Sequence, residues 1–191
     1  METKPIRATA EPDTTLPKLY LSGDQLYADS FRLARQIIAS EWEPDLLLVL
    51  WRGGAPVGIT IHEYFVHRGR RPAHHVVTGR SYVGLTPGAE LKLTIAAETM
   101  AAIKAAHKVL IIDDIFDSGR TAMTLKGVVA ATGAAVRIAT LYWKPENNLT
   151  DGAPDYYLYT TAQWVVFPHE LEGLSPDEIA AKPPTIAAAL Q

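Results

Sequence analysis

The chain has 191 residues, 48% of them hydrophobic, which suits one compact domain with a real core and room for a small lobe. Its formal net charge is -3, from 18 basic and 21 acidic residues, so it lacks the clustered Lys and Arg that a nucleic-acid binder needs. It has no cysteine, which excludes a disulfide scaffold, a thiolate zinc site and any cysteine nucleophile, including an amino-terminal Cys that releases ammonia from glutamine.

The N-terminal METKPIRATAEPDTTLPK has no apolar segment that could act as a secretory signal, and no stretch approaches the length of a membrane span. The chain therefore reads as soluble and cytoplasmic, with no membrane partner. Residues 1–17, rich in Thr, Pro and charge, read as a mobile tail, and 18–191 as a single domain. Ser22, with Gln25 three positions on, has the capping-box pattern. It opens a helix whose stripe is Tyr27, Phe31, Ala34 and Ile38, joined by Leu33 and Ile37, and Pro44 marks the far end of that region.

Asp45 to Trp51 (DLLLVLW) is a continuous apolar run closed by Arg-Gly-Gly, as expected of a strand buried on both faces of a parallel sheet. A helix is expected from Ala55 to about His67, a strand over Ala73 to Gly79, and a loop over Arg80 to Leu91. Thr99 to His107 is alanine-rich and helical in pattern, and Val109 to Asp113 (VLIID) is the clearest buried strand. A helix over Thr121 to Thr132 stops at Gly133, a natural C-cap. Val136 to Trp143 reads as another strand and Tyr156 to Phe167 as a pair of short ones. Strands alternating with helices imply an α/β fold with a mainly parallel, doubly wound sheet.

The chemistry concentrates in Val109 to Thr121, VLIIDDIFDSGRT. A buried strand delivers Asp113 and Asp114 to the carboxyl edge of the sheet, where open α/β folds bind ligands. Adjacent carboxylates there suit the vicinal hydroxyls of a ribose, and add negative charge beside a magnesium ion, which prefers oxygen ligands and keeps several waters. Asp117, Ser118, Gly119, Arg120 and Thr121 then form a tight turn into a helix. Gly119 allows close backbone approach, and the helix points unpaired N–H groups and its positive dipole end into the turn. Such a segment fits a pentose phosphate, hydroxyls at one end and phosphate at the other.

This segment resembles the phosphoribosyl pyrophosphate motif of type I phosphoribosyltransferases: apolar strand, paired acids, two spacers, then Asp-Ser-Gly and its neighbours. Similarity to that family spans about residues 20 to 170 and implies its fold, with a small hood built from the N- and C-terminal parts. It implies that Asp113 and Asp114 hold the ribose hydroxyls and, through substrate or water, Mg2+. Asp117 to Thr121 would hold the 5′-phosphate, with Asp117 also near N7 of the base as general acid/base. Arg52 and Gly53, in Trp51-Arg52-Gly53-Gly54, match the Arg-Gly of the pyrophosphate loop, where a guanidinium stabilises the departing charge. Arg80-Ser81-Tyr82 resembles the mobile loop that closes over the reacting centre in 6-oxopurine enzymes.

The closest similarity is to bacterial and archaeal hypoxanthine, xanthine and guanine enzymes. Lys144, ending ATLYWK, matches a Lys that donates to the O6 of the base; an ammonium has donors only and disfavours adenine. Trp164 matches the aromatic residue that stacks on the base, and Val165 supplies backbone groups to its edge. Pro168-His169-Glu170 departs from a Pro-Trp-Asp/Glu pattern at His169, and Glu170 is a candidate for metal–pyrophosphate or the base. The resemblance implies phosphoribosyl pyrophosphate and a purine base as partners and a homo-oligomer, dimer or tetramer. Alternatives are a related enzyme for adenine, orotate or a pyrimidine, or a non-catalytic nucleotide sensor. His62 and His67 are five apart, not the four a zincin helix needs, and His74 and His75 point to opposite faces of a strand. Neither a Walker phosphate loop nor a dinucleotide fingerprint is present.

Overall fold

A computed structural model describes residues 17–80 and 92–190. In chain order it has β1 (Lys18–Tyr20), α1 (Gly23–Ala39), β2 (Leu46–Trp51), α2 (Gly54–His67), β3 (Ala73–Arg80) and β4 (Lys92–Thr94). There follow α3 (Ala97–Ala105), β5 (Lys108–Ile112), β6 (Ile115–Phe116), α4 (Arg120–Ala130), β7 (Ala135–Ala139) and β8 (Tyr142–Trp143). A 3₁₀ turn at Pro145–Asn147 precedes β9 (Tyr159–Thr160), β10 (Trp164–Val166), α5 (Pro176–Ala180) and α6 (Pro184–Ala189). The tail expected over residues 1–17 falls, apart from its last residue, outside the described residues, as does the loop beyond Arg80.

The central sheet has the order β4-β3-β2-β5-β7, parallel except for β4, which pairs antiparallel with β3 at the edge. Alternate residues of the inner strands enter two separate cores. Leu47, Val49, Leu110 and Ile112 pack with α1 and α2, while Leu46, Leu48, Leu50, Val109 and Ile111 pack with α3 and α4. Helices on both faces explain why LLLVL and VLII are continuously apolar rather than alternating. Each fully buried Leu or Ile contributes about 1.5–3 kcal/mol relative to exposure.

Helix α1 starts where the capping residue dictates, with the Gln25 N–H donating to Ser22 Oγ at 3.1 Å. The reciprocal half of the capping box is absent, because the Gln25 side chain instead donates to the buried Asp29 at 2.7 Å. The expected apolar stripe is also rotated: Leu26, Asp29, Ser30, Leu33, Ala34 and Ile37 face inward, whereas Tyr27 and Phe31 are exposed. Asp29 tolerates burial because its carboxylate also accepts from Arg32 at 2.8 Å and from the Tyr159 hydroxyl at 3.0 Å. His74 and His75 do diverge, His74 onto His62 and His75 onto Thr99.

The strand expected from Val136 to Trp143 is two strands. After Ala139 the chain leaves β5: the Thr140 N–H donates to Tyr156 O, and the Leu141 and Tyr142 N–H groups turn to Asp114 O at 3.0 and 3.1 Å. Strand β8 then joins a second sheet of order β6-β8-β9, while β1 and β10, the first and last strands of the described residues, pair in parallel.

Helix α2 lies close on β2, since a Cβ at Gly58 would overlap the methyl groups of Val49. Gly58→Ala should therefore lower stability in a denaturant titration, overpacking of about 1–3 kcal/mol outweighing a helix-propensity gain of about 1 kcal/mol. A raised midpoint would mean that β2 and α2 are less tightly apposed than this.

Candidate active site

The site lies at the carboxyl edge of β5. Beyond Ile112 the ladder continues for one residue, the Asp113 N–H donating to Ala139 O at 3.1 Å. The Asp114 N–H donates to Asp113 Oδ1 at 3.0 Å, which holds the two acids in a fixed relation. Burial, and then the neighbouring Asp114 charge, push the Asp113 carboxyl well above the usual carboxylate range, while the Gly54 N–H pulls the other way. The turn after β2 is pressed against this pair. A Cβ at Gly53 would overlap the Asp114 carboxylate, and one at Gly54 would strike the Ile112 carbonyl oxygen. The Arg-Gly-Gly turn is thus compatible with the acid pair because the glycines carry no side chain.

The Asp117–Thr121 turn follows β6. Gly119 has φ +75°, a left-handed conformation, and a Cβ there would meet the Phe116 ring and Asn148 Oδ1. It is the N-cap of α4 and supplies no side-chain bond, so the first N–H groups of the helix face the turn without an intrahelical or capping partner. Ser118 and Thr121 are partly buried beside it, and Arg120 is exposed. A Cβ at Gly79, near the end of β3, would meet the Thr121 side chain, so the β3 terminus adjoins this turn.

The third part comes from β8 and β10. Pairing of Phe116 with Trp143, and the Lys144 N–H donating to Phe116 O at 2.9 Å, set Lys144 beside the turn. Its buried ammonium donates to Asp117 Oδ2 at 3.2 Å and lies 5.8 Å from the Trp164 ring centre. Trp164 is 40% exposed, and a second ammonium, that of Lys18, lies 5.6 Å from its ring centre. Val165 is buried and pairs with Leu19. The second Asp117 oxygen accepts from Asn147 Nδ2 at 2.8 Å.

The structure therefore brings Asp113, Asp114, Gly53, the 117–121 turn, Lys144 and Trp164 to one edge. Arg52 is exposed and paired with Glu172, a surface contact worth little; the Trp51–Arg52 peptide is cis, and Trp51 is exposed. Arg80 ends β3 as backbone, and Ser81 and Tyr82 lie outside the described residues. Glu170 folds back to accept from the Phe167 N–H at 3.0 Å, and burial raises its pKa, with the Asp114 charge adding to the rise. Among the described residues no three His, Asp or Glu side chains form a metal cage, and no helix is long and apolar enough to cross a membrane.

Three contacts were not legible in the sequence. Asn147 on Asp117, Glu172 on Arg52, and His169, whose Nε2 stands 3.6 Å from Asp114 Oδ2, join residues far apart in the chain without any motif to signal it. The Asn-Asn pair signals a turn: Asn148 accepts from the Thr150 N–H at 3.0 Å, and that turn carries its neighbour Asn147.

Residues 20–175 match the Phosphoribosyl transferase domain family. The chain belongs to that family. A hypoxanthine-guanine phosphoribosyltransferase of Lactococcus lactis is 32% identical over 151 residues, covering 78% of this chain and 79% of the relative. Among solved structures, a purine phosphoribosyltransferase from Pyrococcus horikoshii Ot3 superposes with a TM-score of 0.65 at 27% identity, covering 83% of this chain and 97% of that one. A Helicobacter pylori xanthine-guanine-hypoxanthine enzyme shares the fold, with a TM-score of 0.61 at 20% identity over 82% of this chain and 95% of that one. The mainly parallel, doubly wound sheet is that of these phosphoribosyltransferases.

Gly119→Ala in this phosphoribosyltransferase should cost stability through its left-handed backbone, about 1–2 kcal/mol, and weaken binding of a nucleoside 5′-monophosphate at least tenfold. Thermal melting and calorimetric titration measure the two effects separately. Unchanged nucleotide affinity would show that the turn is not the phosphate site.

Proposed function

We propose that the chain transfers the 5-phosphoribosyl group of phosphoribosyl pyrophosphate to N9 of a 6-oxopurine (hypoxanthine, guanine or xanthine), releasing pyrophosphate. The observation that carries this reading is the convergence of the Lys144 ammonium, the part-exposed ring of Trp164 and the Asp117 carboxylate beside the Gly119 turn. A planar base on Trp164 meets a donor suited to a 6-oxo group, which the exocyclic amine of adenine does not match. The naming of the Lactococcus relative as a hypoxanthine-guanine enzyme supports the same substrate class. A homo-oligomeric, cytoplasmic enzyme of purine salvage, with the β1–β10 unit as its hood, belongs to the same proposal.

In this reading the α4 N–H groups and the Ser118 and Thr121 hydroxyls take the 5′-phosphate, and Asp113 and Asp114 take the ribose hydroxyls. The C1′–O bond to pyrophosphate breaks as the C1′–N9 bond forms, and the base gives up one proton. Charge on the departing pyrophosphate falls to Arg52 and the backbone N–H groups of its turn. Asp117, held by Lys144 and Asn147, exchanges a proton near N7. Holding both reactants in line is the largest contribution the protein makes.

The site fits magnesium bound chiefly through substrate and water. The donors at hand are the oxygens of Asp113, Asp114 and Glu170, and the Asp113 carboxyl, raised by burial and its neighbour, gains from a nearby cation. When bound, Mg2+ neutralises pyrophosphate charge and so improves the leaving group.

Pyrophosphate release measured with magnesium across hypoxanthine, guanine, xanthine, adenine, orotate and uracil tests the proposal. Turnover is expected with 6-oxopurines and not with adenine. Turnover with adenine or a pyrimidine alone overturns the base assignment, and binding of phosphoribosyl pyrophosphate without turnover points to a sensor. Asp117→Asn should lower kcat by about 10²–10⁴-fold while changing phosphoribosyl pyrophosphate affinity much less. Unchanged turnover would remove Asp117 from the chemistry.

A further inference from the structure

The segment after residue 175, where the family match ends, reaches back to the site through one buried side chain. Lys182 is only 3% exposed, and its ammonium donates to Phe167 O at 2.8 Å and to Pro168 O at 3.4 Å. A cation is costly to bury, and burial lowers the pKa of Lys182, an effect that the Glu170 carboxylate partly offsets. Phe167 O also accepts from the Glu170 N–H at 3.1 Å, and the Phe167 N–H donates to Glu170 Oε2, so the ammonium closes a turn already bonded to itself. That turn continues β10, which carries Trp164 and Val165, and it holds His169. The His169 ring stacks on Phe167 and presents Nε2 to Asp114.

The far end of the clamp is fixed as well. Ser175 and Glu178 form a reciprocal capping box at the start of α5, and Glu178 pairs with Lys18 of β1. The Lys182 N–H donates to Ile179 O, which ties its backbone to α5. Lys182 thus sits between α5, tied to β1 through Glu178 and Lys18, and a turn in contact with the acid pair.

We propose that Lys182 is a positioning residue of this site, fixing the Phe167–Glu170 turn so that His169 meets Asp114. It touches no substrate in this account and acts through His169 on the acid that holds ribose. The proposal rests on the function assigned above, and its consequence falls on phosphoribosyl pyrophosphate rather than on the chemical step.

Steady-state kinetics of Lys182→Met and Lys182→Gln, each beside His169→Ala and the double variants, test it, with the melting temperature as a separate readout. Loss of the charged donor should raise KM for phosphoribosyl pyrophosphate about tenfold while kcat changes less than about threefold. In the His169→Ala background the same change should add less than about twofold, because the two residues act in series. Lys182→Arg, which keeps cation and donors, should recover most of the loss. A lowered melting temperature with KM unchanged in whichever variant folds would make Lys182 structural only and overturn the proposal. A full tenfold loss repeated in the His169→Ala background would overturn it too. A wild-type protein without turnover sinks the assigned function, whereas an active wild type with an unaffected Lys182→Gln sinks this inference alone.

Discussion

Where β5 ends, the chain must leave a strand buried on both faces, place two carboxylates side by side and enter α4, all against the glycine turn that follows β2. The contact between Gly53 and the Asp114 carboxylate sets how closely these two turns approach. Anything larger than hydrogen at Gly53 would push the turn after β2 away from the acid pair. The acids in turn are fixed by Asp113 bonding to Ala139 O and by Asp114 O accepting from Leu141 and Tyr142. The chain that leaves the first sheet after Ala139 therefore enters the next one through Asp114 O. Lys144 reaches Asp117 because β8 follows that redirected backbone.

The electrostatics follow from this packing. Two carboxylates at a partly buried strand end repel, so burial first and then the Asp114 charge raise the Asp113 pKa. The surrounding positive elements are the α4 N-terminus, the exposed Arg52, and Lys144 beside Asp117. His169 adds a further polar contact on Asp114 from the C-terminal side. The site is thus built by strand ends and turns from both halves of the chain, with the core supplying rigidity and little chemistry.

The sequence showed the fold where one physical rule governed a segment. LLLVLW and VLII read as buried strands because helices cover both faces, and Ser22 marked the start of α1 because its hydroxyl satisfies a helix N–H. Reading failed where tertiary partners decided. The break between β7 and β8 falls inside AVRIATLYW, an apolar run in which nothing marks the switch from β5 to Asp114 as partner. Tyr27 and Phe31 fit a helical stripe but lie outside it, because Gln25, Arg32 and Tyr159 make Asp29 an inward residue. Of the residues gathered at the β5 edge, the strand-acid-turn motif, Gly53 and Lys144 were picked out from residue type and place, while the contacts of Asn147, Glu172 and Lys182 were not, being long-range and without local pattern.

The central claim is that the β5 end and the Gly119 turn hold a ribose 5-phosphate with its base toward Lys144. A crystal structure with the 5′-monophosphate of hypoxanthine tests it most directly. The phosphate should lie on the α4 N-terminus between Ser118 and Thr121, the ribose hydroxyls on Asp113 and Asp114, and the base on Trp164 with its O6 toward Lys144. A nucleotide bound with its phosphate anywhere else on the chain would contradict the account.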